Sequence, residues 1–172
     1  EDISFVSKMH NLTRLYMSGN RIVDVGPLAE LHQLQWLDMG SNHIVDVGQL
    51  AGLTNLNYLY LCHNRIVDIG PLAGLYKLDM LLLRYNNIVD LQCIIGFAHV
   101  STISLNNNLI RDLTPLVEFM PAQHEYNSRG RLGMSKMRAA GFVGNLSVQL
   151  MRNPIEIVPA ILYDYMGTTL CI

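Results

Sequence analysis

Apolar and polar residues follow one another along this chain with a long, fixed period. Asparagines stand at 20, 42, 64, 86 and 108, so the step is constant and the pattern is a 22-residue repeat. Leucines at 12, 34, 56 and 78 keep the same step, with Val100 in the fifth place. The first copy reads Leu12, Leu15, Met17, Asn20, Ile22, Val25, Leu28, Leu31; the third reads Leu56, Leu59, Leu61, Asn64, Ile66, Ile69, Leu72, Leu75. Ile3, Val6 and Met9 lie one period before Val25, Leu28 and Leu31, a partial copy at the start. A late copy returns in SVQLMRNPIEIVPAI, with Val148, Leu150, Asn153, Ile155, Val158 and Ile161 in frame. The distance from Asn108 to Asn153 exceeds two periods by a single position. The expected organisation is therefore three segments. Residues 1–120 hold five in-register copies after the partial one, 121–144 a degenerate copy or insertion, and 145–172 an atypical last copy with a C-terminal cap. A short helix is expected in SKMRAAGF within the second segment.

The period dictates a shape. In LxLxxN two leucines alternate with outward positions, as a short strand requires. One strand per coil stacks into a parallel sheet along one side of a solenoid. No single unit can bury its apolar face alone, so stability is a sum over neighbours. The asparagine falls where the strand turns, and its amide can satisfy buried backbone groups that would otherwise cost about 1–3 kcal/mol each. Asn20, Asn42, Asn64, Asn86 and Asn108 thus predict a structural ladder. Asp24, Asp46, Asp68, Asp90 and Asp112 form a second column, a fixed distance after each asparagine. A metal column is the sharper reading of these acids. A short acceptor before the GPL turn fits them better, with Pro27, Pro71 and Pro115 presetting φ there.

The frame identifies what faces outward. Six positions before each asparagine come Arg14, Trp36, Tyr58, Met80 and Thr102, then Ser147 in the late copy. Four before come Tyr16, Asp38, Tyr60, Leu82, Ser104 and Gln149. Cys62 and Arg84 belong to the next column, and His63 and Tyr85 follow at the strand ends. Strands lie about 4.8 Å apart, so Trp36, Tyr58 and Met80 should form one strip. Exposed aromatics beside arginine have the composition of interface hot spots. The expected partner-binding residues are Arg14, Tyr16, Trp36, Asp38, Tyr58, Tyr60, His63, Met80, Leu82, Arg84 and Tyr85. Coil five, with Thr102, Ser104, Asn106 and Asn107, should be a polar rim.

The pattern LxxLxLxxNxIxxIxPLxxL resembles the leucine-rich repeat family in its 22-residue form. IVDVGPLAEL (22–31) and IVDIGPLAGL (66–75) look most like the internalin-type arrays of bacteria. The repeats are also similar to those of the regulatory subunit of protein phosphatase 1. The resemblance implies an α/β solenoid with the parallel β-sheet on its concave face and short 3-10 or turn segments on its convex face.

Composition narrows the function. The net charge is −2, against the usual basic nucleic-acid binder. Residues 1–128 carry 7 basic and 12 acidic side chains, the remainder 5 and 2. SRGRLGMSKMR (128–138) is the one basic run with a claim on nucleic acid, in a larger assembly. It lacks interleaved aromatics and reads better as a solvated loop. No apolar run reaches the length of about 18 residues that marks a membrane span, and no signal peptide is visible. The chain starts with Glu1, which leaves a processed or truncated start open. Three cysteines, Cys62, Cys93 and Cys171, make no complete disulfide set, which favours a reducing, cytoplasmic setting. The sequons at Asn11 and Asn145 point to the alternative, secreted or at the cell surface.

Catalytic chemistry is not spelled out. Cys62-His63 occupies positions filled elsewhere by Ser18-Gly19, Gly40-Ser41, Arg84-Tyr85 and Asn106-Asn107. Adjacent residues at a strand end point apart, so a nucleophile–base pair is awkward there. The six histidines are scattered, and His10 with His32 lacks a third zinc ligand. Asp38 is the only acid of the inner columns, against a glycosidase pair. The expectation is a non-catalytic module that binds a protein through its concave aromatic face, with no cofactor, no metal and no small-molecule substrate. Two alternatives stand beside it: a structural subunit of a large cytoskeletal or ribonucleoprotein assembly, and an internalin-like adhesin. Phosphatase regulation follows from repeat similarity alone.

Overall fold

The computed structural model describes residues 1–97, 100–115, 147–149 and 151–156. Each coil contributes one short strand: β1 Arg14–Tyr16, β2 Trp36–Asp38, β3 Tyr58–Tyr60, β4 Met80–Leu82, β5 Thr102–Ser104 and β6 Ser147–Gln149. The six strands form one sheet in chain order, every pair parallel. Register follows the repeat, so Arg14, Trp36, Tyr58, Met80 and Thr102 lie side by side, as do Leu15, Leu37, Leu59, Leu81 and Ile103. The return path of each coil carries a short 3-10 helix: Ser4–Lys8, Gly26–Leu28, Gly48–Leu50, Gly70–Gly74 and Gln92–Gly96. The architecture is the expected α/β solenoid, a parallel sheet backed by 3-10 turns. Among the described residues no helix is long and apolar enough to cross a membrane.

The core is a set of columns. Leu34, Leu56 and Leu78 are fully buried, as are Leu37, Leu59 and Leu81, and Ile22, Ile44, Ile66 and Ile88. Burying one such side chain contributes about 1.5–3 kcal/mol. Each column member is covered by the coils before and after it. At the first coil that cover is one-sided, and Leu12, Leu15 and Met17 are only partly buried. Met9, in frame with Leu31, is 44 % exposed, whereas its companions Ile3 and Val6 are buried.

The asparagine ladder works between coils as well as within them. Asn64 Oδ1 accepts the Ile44 N–H of the preceding coil at 3.0 Å. Its Nδ2 donates to Met39 O of that coil at 3.0 Å and to Leu61 O of its own at 3.1 Å. Asn42, Asn86 and Asn108 repeat the arrangement, and Asn153 Oδ1 accepts the Ile110 N–H at 3.2 Å. Asn20 is the exception: its amide donates only within its own coil, to Met17 O and Ser18 O.

Two further columns shape the turns. Asp24, Asp46, Asp68, Asp90 and Asp112 each accept, through Oδ1, the N–H two positions on, all at 2.7 Å. This is the turn-closing role of a short acceptor, placed just ahead of the 3-10 N-cap. The residue before each ladder asparagine is left-handed. Ser41, His63, Tyr85, Asn107 and Arg152 have φ of 55 to 59°, and Gly19 has 73°. A left-handed φ costs a side-chain-bearing residue about 1–2 kcal/mol. Against that cost stands a backbone donor aimed at the next coil: Ser41, His63 and Tyr85 donate to Cys62 O, Arg84 O and Asn106 O.

β6 pairs directly with β5 despite the long segment between Asn108 and Asn153, so no further strand is interposed in the sheet there. The boundaries expected around 121–144 and the helix expected in SKMRAAGF lie outside the described residues.

Two stability outcomes follow. Asn64→Ala should lower unfolding stability by about 3 kcal/mol, because buried Ile44 N–H, Met39 O and Leu61 O lose a partner. Asn20→Ala should cost well under half of that; urea unfolding followed by circular dichroism compares the two. At Gly96 an added Cβ would come within 2.6 Å of Ala73 Cβ and 2.9 Å of Ala73 O, forcing backbone apart. Gly96→Ala should therefore destabilise by about 1–3 kcal/mol, whereas Gly74→Ala, with nothing within 4 Å of the new Cβ, should be neutral or slightly stabilising. Equal melting temperatures for these two variants would contradict the coil spacing described.

Candidate functional site

The outer row of the sheet is set by alternation. In β2, β3 and β4 the central leucine is buried and the residues on either side are half-buried. The flanking residues of β1, Arg14 and Tyr16, are exposed. The first two outward columns are thus where the pattern puts them. Ser104 departs from it: expected in a polar rim, it is 4 % exposed.

Register draws four aromatics together. Trp36 lies beside Tyr58, with ring centroids 4.7 Å apart at 38°. Tyr60 meets the same indole edge-on at 5.1 Å, and Tyr16 meets it at 6.1 Å. Tilted and edge-on pairs at such distances stabilise by about 0.5–1.5 kcal/mol each beyond their burial. Tyr60 Oη donates to Met80 Sδ at 3.4 Å, which carries the cluster across to β4. Partial burial, and then the neighbouring charges of Tyr58, Asp38 and Tyr16, push the Tyr60 phenol above its ordinary pKa, so it stays a neutral donor. Trp36 Nε1 is buried with no hydrogen-bond partner among the described residues. An unpaired buried donor costs about 1–3 kcal/mol.

Asp38 stands in the second column between Tyr16 and Tyr60. Its Oδ1 accepts the Gly40 N–H at 3.0 Å. Gly40 keeps that side open: a Cβ there would sit 3.4 Å from Asp38 Oδ1 and 3.5 Å from Cys62 O. Arg14 and Arg84 are exposed at opposite ends of the patch. Met80 and Leu82 are half-buried beside Tyr58 and Tyr60.

His63 and Tyr85 form a separate pair, rings stacked at 4.3 Å and 14°. Their left-handed backbones, one coil apart, hold both side chains in parallel at the strand ends. Sequence spacing places these residues at the strand ends but gives no sign of the stacking. Burial pushes the Cys62 thiol up, Asp38 adding to the effect and Arg84 opposing it. Burial, with Asp68 and Asp90 nearby, pushes Cys93 up to about 11. Protonated thiols of this kind are poor nucleophiles at neutral pH. Among the described residues no three histidine, cysteine or acidic side chains gather as a metal would need.

One apolar column lies outside the expected site. Val23, Val45, Val67 and Val89 are 48–55 % exposed on the flank past the asparagine ladder. Their identical spacing is the signal that could have found them.

Comparison with known proteins agrees with this architecture. Family profiles described as leucine-rich repeats match residues 11–31, 32–74 and 54–110. No curated protein sequence matches the chain. Among solved structures, internalin C2 of Listeria monocytogenes is 35 % identical with a TM-score of 0.65, over 69 % of this chain and 52 % of its own. Internalin F of the same organism is 25 % identical with a TM-score of 0.73, over 100 % of this chain and 51 % of its own. A leucine-rich repeat protein of Leptospira interrogans shares the fold at 23 % identity and a TM-score of 0.72, over 98 % of this chain and 45 % of its own. The chain spans about half the length of these proteins. With its asparagine ladder, one-strand coils and matching profiles, the chain belongs to the leucine-rich repeat family.

Proposed function

We propose that the chain is a non-catalytic recognition module that binds a protein partner on its concave sheet face, with Trp36, Tyr58 and Tyr60 as anchors. Arrays of this family typically mediate protein–protein interaction, which supports the class of function. The observation that supports the place is Trp36: a half-buried indole, wedged among three tyrosines, with its N–H buried and without a partner among the described residues. A soluble surface seldom retains such a cluster without a partner for it. Arg14, Tyr16, Asp38, Met80, Leu82 and Arg84 would surround the anchors, with His63 and Tyr85 at the rim.

The likeness to two Listeria internalins favours one alternative, a secreted or surface role rather than a cytoplasmic one. Asn11 is exposed and begins a sequon. A glycan on Asn11 in the native protein would support that setting; Asn11 found unmodified in a secretion-competent host would count against it.

The binding face is tested by substitution. Trp36→Ala and Tyr60→Ala should each weaken the complex at least about tenfold, the loss usual for a hot spot. Val67→Asp, on the opposite flank, should leave affinity within about twofold. Isothermal titration against the partner recovered with the wild-type chain makes the measurement, and thermal melts confirm that the variants stay folded. Unchanged affinity in folded Trp36→Ala and Tyr60→Ala proteins would refute the reading.

A further inference from the structure

The aromatic patch contains one acid with no ion-pair partner among the described residues. Asp38 lies on the outward face of β2, two positions from Trp36, with Tyr16 and Tyr60 in register on either side. Its carboxylate takes one neutral hydrogen bond, from Gly40 N–H to Oδ1. Among the described residues Arg111–Glu156 is an ion pair and His32 lies 3.3 Å from Glu30, both elsewhere. Arg14, the inner-face cation nearest in register, lies diagonally across on β1 and is exposed. Asp38 is itself half-buried, so its charge is less screened than a surface acid's. The small residues Ser18 and Gly40 flank it in the next column.

We propose that Asp38 and the rings of Tyr16, Trp36 and Tyr60 form a seat for an arginine side chain of the protein partner. This deepens the concave-face reading and rests on it. The chemistry is complementary on two counts. A guanidinium matches a carboxylate with two parallel N–H donors. Its flat, weakly hydrated face also stacks on aromatic rings, where the ring quadrupole attracts the positive charge. Tyr16 and Tyr60 lie 6.1 and 5.1 Å from the indole, inclined to it by 42° and 65°, so the three rings present aromatic faces and edges close together. An aromatic face suits a planar, weakly hydrated group better than the compact, strongly hydrated lysine ammonium. A partner lacking the positive charge would leave Asp38 partly desolvated and unpaired, which makes the site selective as well as attractive.

Trp36 is the chain's single tryptophan, so its emission reports on the site directly. The full chain is titrated with acetyl-Gly-Arg-Gly-amide and with its citrulline counterpart, which keeps the shape and loses the charge. The arginine peptide should shift Trp36 emission saturably and bind at least about fivefold more tightly than the citrulline peptide, an advantage that shrinks in high salt. Asp38→Asn should abolish the preference while the protein melts as wild type. No saturable response, equal binding of the two peptides, or a preference that survives Asp38→Asn would overturn the proposal. Such a result leaves the recognition reading intact if Trp36→Ala and Tyr60→Ala still weaken the partner complex. Arginine selectivity at Asp38 with no such weakening would instead separate the two in the other direction.

Discussion

The structure depends on a side-chain amide that bridges two turns of the chain. A single coil cannot close its own backbone hydrogen bonds, because its one strand is short and pairs only with parallel neighbours. Each buried ladder asparagine corrects this by accepting an N–H from the coil before and donating to carbonyls of both coils. Hydrophobic columns supply most of the stabilisation, but burial is non-directional. The asparagines fix which carbonyl meets which amide, and so fix the register that places Trp36 beside Tyr58.

Much of this was legible in the residues alone. The period identified the strands, their register, the leucine columns and the ladder, because each position sees the same surroundings in every coil. Three things were not legible. The left-handed residue before each asparagine carries a side chain in Ser41, His63, Tyr85 and Arg152, where glycine would be the usual signal; the inter-coil hydrogen bonds override local preference there. Met9 and Ser104 took burial opposite to their expected columns, since burial depends on the full set of neighbours and the frame counts only the position in the repeat. The Trp36 N–H, buried without a partner among the described residues, depends on ring tilt, which no spacing encodes. The candidate site was therefore readable as a list of neighbours but not as a geometry.

A division of labour within each coil follows. Buried leucines, ladder asparagines and turn aspartates are held to one chemistry by contacts on all sides. The outward positions meet one another along the sheet rather than the leucine core, and their residue type varies from coil to coil. Trp36, Asp38 and Tyr60 sit at such positions, on a frame that holds rings and carboxylate in place; under the proposed reading this lowers the ordering cost of association.

The direct pairing of β6 with β5 has a bearing on assembly. Elsewhere each strand meets its neighbour after one period; here the segment is about twice as long. Doubling the separation along the chain adds only about 0.6 kcal/mol of closure entropy, so the finished stack tolerates it readily. The kinetics differ: five coils can zip up through short-range contacts, while the sixth must find its berth from farther along the polymer. That coil is then the last to dock.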